Sequence, residues 1–567
     1  MREDLKQFNA IGDSLKAMRN DYDPHFRELG KHFQPRRARF NEKKKTGDEV
    51  NRFIINGRPR FAHRTLASGM HSGITSPARP WFQLIPKDRS LAEYTPVKEH
   101  FTSAAIEMRQ MMQSSGLYTM LHTMWGDVGL YGYDAAIIED DEVTGGLFGH
   151  ALVPGEAWIA ANARGMVDTT YREIEYTVMQ VVSKFVYRND PTNSPDWGKV
   201  STAVKNLWDA NKYTEAVPVK HIIMPRRERD ARSPRAENKP IMSVYWEGTE
   251  SKGLLGDLGY DESPINASRW DVEGTRTYGS SPAMDALGDA RELQRKERDK
   301  AEAIRRMNRP PMNAPIEMRN SPYSLMPEAV NFMQDPTKGM VPAYQVQPRI
   351  DQLIADIDTS EERINEGMYA NLFLMIANLD RRQITAREID ERHEEKLLAL
   401  GPVLERQHRE KLAPLIRRAY VKAVDSGRVA PLPAEFDGMG IEIDYISTLA
   451  QAQKAVQTGG IERLYSFIGN IAAVDGSVLD KVNNDHAVDE YADMVGVSSK
   501  ILRSIDEVEE MRRQRQEQVQ QQQAMEQAQQ ATGVMQQGAQ AAKLLSEADA
   551  PRSGGSAGLL RDLGLTR

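Results

Sequence analysis

A long polar segment, Ser281 to Met307, constrains the architecture of this chain more than any other part of the sequence. Ser281 can cap a helix, Pro282 suits its first turn, and strong helix formers follow up to a stop at "NRPP". Its thin apolar stripe consists of Ala286, Ala290, Leu293, Ala301, Ile304 and Met307. A helix this polar cannot lie in a core, so the sequence predicts a solvated spacer or one member of a ring of helix copies.

The composition excludes several classes of protein. The 567 residues are enough for more than one domain, and the absence of cysteine rules out disulfides and thiolate metal sites. The net charge of −7 argues against a chain that simply binds DNA tightly. The longest apolar stretch, Tyr369 to Leu379, is too short to span a bilayer and suggests a buried helix. The N-terminal segment lacks the apolar core of a signal peptide. We expect no direct membrane contact.

Hydrophobic periodicity predicts an α+β chain that is mainly α-helical. The predicted elements are helices in 1–70 and 91–130, strands within 133–165, a short helix over Glu175 to Phe185, strands over Val217 to Met224 and Lys239 to Gly248, a helical region over 350–425 broken near Gly401, a strand at "GIEIDYIS" and further helices to about Arg503.

Two of the predicted helical regions have a recognisable core face. The first core face comprises Met108, Met111, Met112, Leu117, Met120 and Leu121. The second comprises Leu353, Ile354, Ile357, Ile364, Leu372, Phe373 and Ile376.

A basic segment lies between the two strands predicted over 217–224 and 239–248, at the tip of a hairpin. Its five arginines are Arg226, Arg227, Arg229, Arg232 and Arg235. Such a tip is either an exposed loop or a docking or phosphate-contacting surface, and the sequence leaves both alternatives open.

Two further segments have unusual compositions. Residues 308–349 are rich in Pro and Asn with little periodicity, which is typical of functional loops and partner-binding surfaces. The Gln-rich and Ala-rich end, 511–567, is either disordered or forms a narrow seam for close contact between copies. The residues of that seam would be Ala524, Ala528, Ala531, Met535, Gly538, Ala542 and Leu545.

Motifs for catalysis are missing from the sequence. It contains no Walker-type phosphate loop, no His-Glu-x-x-His and no Gly-x-Ser-x-Gly. One local group of carboxylates precedes a Thr-Gly-Gly turn and is more typical of a hairpin tip than of a metal site; it consists of Glu139, Asp140, Asp141 and Glu142. We therefore expect no enzyme activity, no metal and no cofactor.

Two longer motifs resemble signatures of a known family. "LASGMHSGITSPARPWFQL" (Leu66 to Leu84) leads from a helix end into a strand, and "YGSSPAMDALGDARELQ" (Tyr278 to Gln294) opens the polar helix. Both resemble the head-to-tail connecting, or portal, proteins of short-tailed bacteriophages, and other segments follow in a similar order over roughly residues 1–510. The family commonly has Tyr-Gly-Arg-Ser-Pro in the second motif. Here Ser280 replaces the arginine, which would remove one charge contact at the head of the helix.

The resemblance implies a portal fold with wing, stem, clip and crown, assembled as a dodecameric ring around a central channel. The division of the chain that it implies is 1–170, N-terminal part of the wing; 171–190, first stem helix; 191–277, clip; 278–307, second stem helix; 308–349, tunnel-loop region; 350–430, C-terminal long helices of the wing; 431–510, crown; and 511–567, a tail that forms a helical barrel or is disordered.

The resemblance also implies a function without bond chemistry. Double-stranded DNA would be packaged and later ejected through the channel, at a unique capsid vertex of the virion. The implied partners are further copies of the chain, a terminase packaging motor, major capsid and scaffolding proteins, tail adaptor proteins, internal core proteins and the DNA in transit. The alternatives are another virion ring component, such as a tail adaptor, or a DNA-processing enzyme that would depend on the carboxylates Glu139 to Glu142.

The resemblance assigns roles to two sets of cationic residues. The arginines of the basic hairpin tip would dock the motor and the tail adaptors. The candidates for facing the channel from the second stem helix are Arg291, Arg295, Lys296 and Arg298. These four span most of the helix circumference, so only some can face the channel. Pairing with acids of adjacent copies is the alternative for the rest.

Overall fold

The computed structural model describes residues 3–37, 54–88, 94–141, 144–188, 193–248, 254–316, 349–379, 399–431, 440–472, 476–495 and 507–522, with short pieces between 319 and 343. The chain divides into two compact units, Met1–Asn483 and Asn484–Arg567.

Helices provide most of the regular structure in the described part of the first unit. They are α1 (Glu3–Asn20), α2 (Asp23–Phe33), α3 (Arg58–Ile74), α4 (Thr95–Ser114), α5 (Leu117–Tyr131), α6 (Val178–Val181), α7 (Thr202–Asp209), α8 (Pro282–Asp285), α9 (Leu287–Asn308), α10 (Ile350–Gly367), α11 (Ala370–Leu379), α12 (Gly401–Gln407), α13 (Ala413–Asp425) and α14 (Thr448–Ala472). Short π-helical turns follow α6 (Val182–Val186) and α12 (His408–Leu412), and 3-10 turns span Trp197–Lys199, Ala236–Asn238 and Gly476–Lys481.

The described strands are β1 (Phe82–Pro86), β2 (Tyr133–Asp141), β3 (Gly146–Ala151), β4 (Ala157–Ala161), β5 (Val167–Thr177), β6 (Ala216–Pro225), β7 (Ile241–Glu247), β8 (Leu254–Tyr260), β9 (Ile265–Arg269), β10 (Met312–Asn313), β11 (Val341–Pro342) and β12 (Ile441–Tyr445). They form a five-stranded sheet in the order β4-β5-β6-β7-β8, a three-stranded sheet β3-β2-β9, and the pairs β1-β12 and β10-β11, all antiparallel. The α+β, mainly α, class predicted from the sequence is confirmed.

The main hydrophobic core lies where α3, α4 and α5 meet the three-stranded sheet. All six residues of the first predicted core face are at most 4% exposed, so this prediction is confirmed. Trp125 lies at the centre of α5 and is fully buried, and its ring nitrogen donates a hydrogen bond to the Thr75 hydroxyl (3.0 Å). Burial of these thioether and aromatic side chains removes a large apolar area from water and holds the helices on the sheet.

A smaller core covers one face of the five-stranded sheet. Val178, Val181 and Val182 of α6 and its π-helical turn are fully buried there, with Tyr245 of β7. This short helical segment therefore packs on its own sheet.

The helix predicted over Glu175 to Phe185, and the stem helix expected over 171–190, are corrected at their N-terminal ends. Residues up to Thr177 belong to β5 and pair with β6, and the helix begins only at Val178. Alternating β-branched and aromatic residues favour the strand. Thr177 then forms a capping box with Gln180, which sets the start of the helix.

The polar helix predicted over 281–307 is present but interrupted near its start. Ala286 separates α8 from α9, and the Ser281 hydroxyl caps α8 by accepting a hydrogen bond from the Met284 amide (3.2 Å), as predicted. The apolar stripe is buried only in its first half, at Ala286, Ala290 and Leu293. The second half of α9 is largely exposed.

The helical region predicted over 350–425 contains a break that the sequence did not reveal. α10 ends at Gly367, and Tyr369 adopts the left-handed conformation (φ 55°) before α11 begins. Of the second predicted core face, Ile357, Ile364, Leu372 and Phe373 are buried. Leu353 is half-buried. The prediction for Ile354 is wrong, because this residue is 44% exposed. The side chain of Ile376 lies outside the described residues.

The second unit begins with α15 (Asn484–Val495). Residues 507–522 are helical, and Arg512 forms a two-point ion pair with Asp485 (2.6 and 2.7 Å). The predicted small-residue seam, Ala524 to Leu545, lies outside the described residues.

Among the helices in the described part of the chain, none combines the length and the apolar character that a bilayer span requires.

Two glycines let the "YGSSP" motif approach the end of α5. Gly132 ends α5 in the left-handed conformation (φ 75°), and its backbone faces that of Gly279. A Cβ on Gly279 would lie 2.7 Å from the Gly132 carbonyl oxygen and closer still to that of Asp271. Ser280, where the family commonly has arginine, is exposed next to this contact.

We predict that Gly279→Ala lowers the free energy of unfolding by roughly 2–3 kcal/mol, because two backbone segments would have to separate. The matched control is Gly288→Ala at an exposed position of α9 with open space around it. There alanine should raise stability by about 0.5–1 kcal/mol. Urea unfolding of both variants measures the difference, and equal effects would contradict the close approach.

Candidate functional site: the polar helix pair and the basic hairpin

The polar helix α9 packs along α10, which runs antiparallel to it. The Lys296 ammonium group lies 2.8 Å from the Asp356 carboxylate and 3.0 Å from the Ser360 hydroxyl. Nearer the start of α9, Asp289 meets Arg363 (3.8 Å), which is nearer the end of α10. Ion pairs therefore border the contact along its length.

A polar anchor joins this helix pair to the segment before α3. The Gln294 side chain is 5% exposed; its oxygen accepts hydrogen bonds from the amides of Ile55 (2.7 Å) and Asn56 (3.0 Å), and its amide nitrogen donates to the Asn56 carbonyl (2.8 Å). The Asn56 side chain donates to both Glu297 (3.0 Å) and Glu361 (2.8 Å). Sequence reasoning missed Gln294; its position beside Leu293, on the edge of the apolar stripe, was the available signal.

The structure separates the four channel-facing candidates into two groups. Arg291 is half exposed and forms an ion pair with Glu28 of α2. Lys296 lies between α9 and α10. Arg295 and Arg298 are exposed, and neither has an acidic partner among the described residues.

Contacts within the same chain keep the Lys296 side chain charged. Burial would lower the pKa of Lys296, but hydrogen bonds to Asp356 and Glu292 outweigh burial and raise it. Its side chain is 12% exposed. Its geometry thus gives Lys296 a role between two helices of one chain.

The basic hairpin predicted from the sequence is present, since β6 and β7 pair antiparallel over 219–225 and 241–247. Arg226 closes its base: the guanidinium lies 2.7 Å from the Asp257 carboxylate on β8, and the backbone amide donates to the Pro240 carbonyl (2.8 Å). The Arg226 side chain is only 10% exposed, so this residue holds the hairpin together. The arginines at the tip itself are exposed and have no acidic partner within the described residues; they are Arg227, Arg229, Arg232 and Arg235.

The tip between these arginines is folded. The Asp230 carboxylate accepts a hydrogen bond from the Arg232 amide (3.0 Å), and the Asn238 side chain accepts one from the Asp230 amide (3.2 Å). Gly259 on β8 lets the Ala236 carbonyl approach so closely that a Cβ would collide with it. The four tip arginines are therefore presented on an ordered loop.

A buried ionic network fastens the three-stranded sheet to the π-helical turn His408–Leu412. Lys411 and Asp134 are fully buried and form an ion pair at 2.5 Å, with the Lys411 ammonium 3.6 Å above the Trp125 ring. Burial raises the pKa of Asp134 to about 6 and lowers the pKa of Lys411, and the attraction between them opposes both shifts. Next to this pair, Arg269 binds Glu410 (2.8 Å), both at most 4% exposed. No sequence pattern pointed to these distant partners.

The described carboxylates of the predicted hairpin tip contact other groups of the protein. Asp140 lies 3.0 Å from Arg418 and 3.6 Å from Lys422, and Glu139 accepts a hydrogen bond from the Tyr260 hydroxyl (2.9 Å). Glu142 lies outside the described residues. Within the part of the chain that the structure describes, no group of His, Cys, Asp and Glu side chains has the arrangement of a metal site.

In each of the two sequence motifs, a buried side chain forms a hydrogen bond to another element of the fold. In the first motif, the Trp81 ring nitrogen donates a hydrogen bond to the Tyr118 hydroxyl (3.1 Å) inside the main core. In the second, the Ser281 hydroxyl donates to the Leu130 carbonyl (2.8 Å) while it caps α8. Both motifs therefore connect elements of the core.

Comparison with known proteins gives a family for this architecture. Residues 5–502 match the family described as bacteriophage head to tail connecting protein. The chain is 37% identical over 539 residues to the portal protein of Salmonella phage epsilon15, and 35% identical over 539 residues to the probable portal protein of Bordetella phage BPP-1. Each comparison covers 94% of both chains.

The chain belongs to the bacteriophage head-to-tail connecting family. The resemblance inferred from the two motifs is thereby confirmed.

We predict that Lys411→Met costs about 3–5 kcal/mol of unfolding free energy, because it leaves the Asp134 carboxylate buried without a counter-charge. The double variant Asp134→Asn/Lys411→Met should recover more than half of that loss, since the asparagine oxygen can still accept the hydrogen bonds from Ser268.

Lys239→Met is the matched control, because Lys239 pairs with Asp261 (2.7 Å) at the surface. It should cost less than about 1 kcal/mol. Chemical unfolding of the three variants gives the comparison. A double variant less stable than Lys411→Met would contradict the proposed charge coupling.

Proposed function

We propose that this chain is the portal protein of a bacteriophage: a ring-forming subunit at a unique capsid vertex, through whose channel double-stranded DNA is packaged and ejected. The observation that carries the proposal is the similarity to two portal proteins over 94% of each chain. The polar α9–α10 pair, with its charged outer surfaces, suits a wall that contacts water and other copies.

The proposed function requires no bond chemistry from the chain. Its physical demand is that duplex DNA slides without sticking. A continuous cationic lining would bind phosphates and resist movement, because each phosphate contact adds affinity. A chain of net charge −7, repeated around a ring, produces a field that keeps the DNA away from the wall. A separate terminase motor supplies the energy of ATP hydrolysis.

The proposed partners follow from this position. They are further copies of the chain in a dodecamer, the terminase, major capsid and scaffolding proteins, tail adaptor proteins, internal core proteins and the DNA in transit.

We retain the proposed division into wing, stem, clip, tunnel loop and crown, with one adjustment. The first stem element, 171–190, contains the end of β5 and a short helical segment that starts at Val178. The second stem element remains 278–307, which α8 and most of α9 occupy.

Two of the four channel candidates, Arg295 and Arg298, are available for outside contacts. Arg291 and Lys296 have acidic partners in their own chain. The exposed guanidinium groups of Arg295 and Arg298 can meet either DNA phosphates or acids of a neighbouring copy, and these alternatives predict different effects of charge reversal on ring formation.

Electron microscopy and mass determination of the purified full-length chain test the proposal. We expect closed rings with an axial opening and a mass near that of about twelve copies of the 63.9 kDa chain. A chain that forms no rings by itself would instead favour the alternatives of a tail adaptor or an enzyme. A stable monomer or dimer at all salt concentrations would contradict the portal function.

We predict that replacing Arg227, Arg229, Arg232 and Arg235 together by alanine leaves rings intact but lowers ATP-driven DNA packaging by about tenfold, because the tip loses its charge complementarity to the motor. Packaging with purified terminase and procapsids that contain the variant measures the effect.

The Arg226→Ala variant shows whether a packaging defect comes from lost docking of the motor or from lost stability of this hairpin. Since Arg226 pairs with Asp257 at the hairpin base, its loss should lower the stability of the chain. Packaging at the wild-type rate by the fourfold tip variant would contradict a docking role.

A further inference from the structure

One flank of the helix pair carries a row of arginines. With a 100° rotation per residue, Arg291, Arg295, Arg298 and Arg305 share one face of α9, about 150° away from the residues that contact α10. Arg295, Arg298 and Arg305 are exposed and have no acidic partner within the described residues. Glu302 interrupts this face, but it is already paired with Arg306. We call this face the basic flank.

The opposite flank carries a row of acids. Asp351, Asp358 and Glu362 share one face of α10, which again points about 150° away from the residues that contact α9. All three are exposed, and none has a cationic partner in the described part of the chain. We call this face the acidic flank.

The acidic flank also contains a groove of a size suited to side chains. Its volume is about 280 Å³. It is lined by Arg58, Asp358, Glu361, Glu362, Asn365 and Asn371. Arg58 already donates to the Asn365 side chain (2.9 Å) and lies 3.8 Å from the Glu361 carboxylate. The carboxylates of Asp358 and Glu362 remain as acceptors for a cation of another copy.

Two arginines of the basic flank lie at nearly the same height as acids of the acidic flank. Lys296 contacts Asp356, and Asp289 contacts Arg363, so each step up α9 corresponds to one step down α10. In this register Arg291 and Arg295 lie within one residue of the levels of Glu362 and Asp358. Arg298 is level with Ile354, about 5–6 Å along the axis from both Asp351 and Asp358, which a long arginine side chain can reach, and Arg305 lies beyond the start of α10.

Matching heights are what a closed ring requires. Neighbours in a ring are related by rotation alone, without a shift along the axis, so a head-to-tail contact closes only if the two surfaces meet at equal height. An offset between the two rows of charges would instead favour a helical filament.

We propose that the basic flank of one copy binds the acidic flank of the next, with Arg295 directed at Asp358 of that copy and Arg298 directed between its Asp351 and Asp358. The inference rests on the proposed ring. It assigns the exposed arginines of α9 to assembly, and it gives DNA no direct contact with them.

Two charge-reversed variants of the full-length chain test the proposal. Arg295→Glu/Arg298→Glu makes both flanks acidic, and Asp351→Lys/Asp358→Lys makes both flanks basic. Each variant alone should need at least about tenfold more protein to form rings, because like charges would face each other. An equimolar mixture should form rings again, in which the two variants alternate. Sedimentation velocity and electron microscopy measure assembly.

The mixing step controls for misfolding, because a chain that does not fold cannot restore rings. Arg164→Glu/Lys212→Glu is the matched control. It makes the same change of charge as Arg295→Glu/Arg298→Glu at exposed loop positions and should assemble like the wild type.

Three results would overturn the inference while leaving the ring itself intact. One is wild-type assembly of either flank variant, and another is a mixture that fails to restore rings. The third is an Arg295→Glu/Arg298→Glu variant that forms rings normally but no longer retains DNA. That result would place these arginines in the channel. A wild-type chain that never forms rings would refute the proposed function as well, so the two failures are distinguishable.

Discussion

The contact between α9 and α10 is the constraint on which the rest of this architecture depends. α9 is charged on nearly every side, so each side needs water, an ion pair or a buried hydrogen-bonding partner. The chain supplies Asp356 and Ser360 for Lys296, and the backbone at residues 55–56 for Gln294. Once these needs are met, the charges that remain point outward in two rows. The polarity that prevents α9 from lying in a core therefore leaves the α9–α10 pair two surfaces for other molecules.

This arrangement reconciles two opposing demands on a portal. The subunits need attraction to one another, whereas moving DNA needs a wall that does not hold it. Lys296 and Arg291 are neutralised within the chain. If the remaining arginines of α9 are neutralised between copies, little free positive charge is left on this helix to bind phosphates. The net negative charge of each copy then dominates the field that the DNA experiences.

Much of the fold could be predicted from patterns of residues close in sequence, whereas contacts between distant residues could not be predicted. The methionine core face, the Ser281 cap and the basic hairpin depend on residues close in sequence, so periodicity and turn signals reveal them. The strand before Val178 was missed because its pairing with β6 decides its structure. The partners of Arg226, Lys296 and Lys411 come from other elements, and no spacing rule links them. A list of cationic candidates from the sequence therefore mixed outward-facing arginines with structural ones.

A cryo-electron microscopy reconstruction of the assembled full-length chain is the most direct test of this account. We predict a closed ring in which the side chains of Arg295 and Arg298 lie within about 4 Å of carboxylates on α10 of the adjacent copy. A ring whose copies meet through other elements, with both arginines pointing into the open lumen, would contradict it.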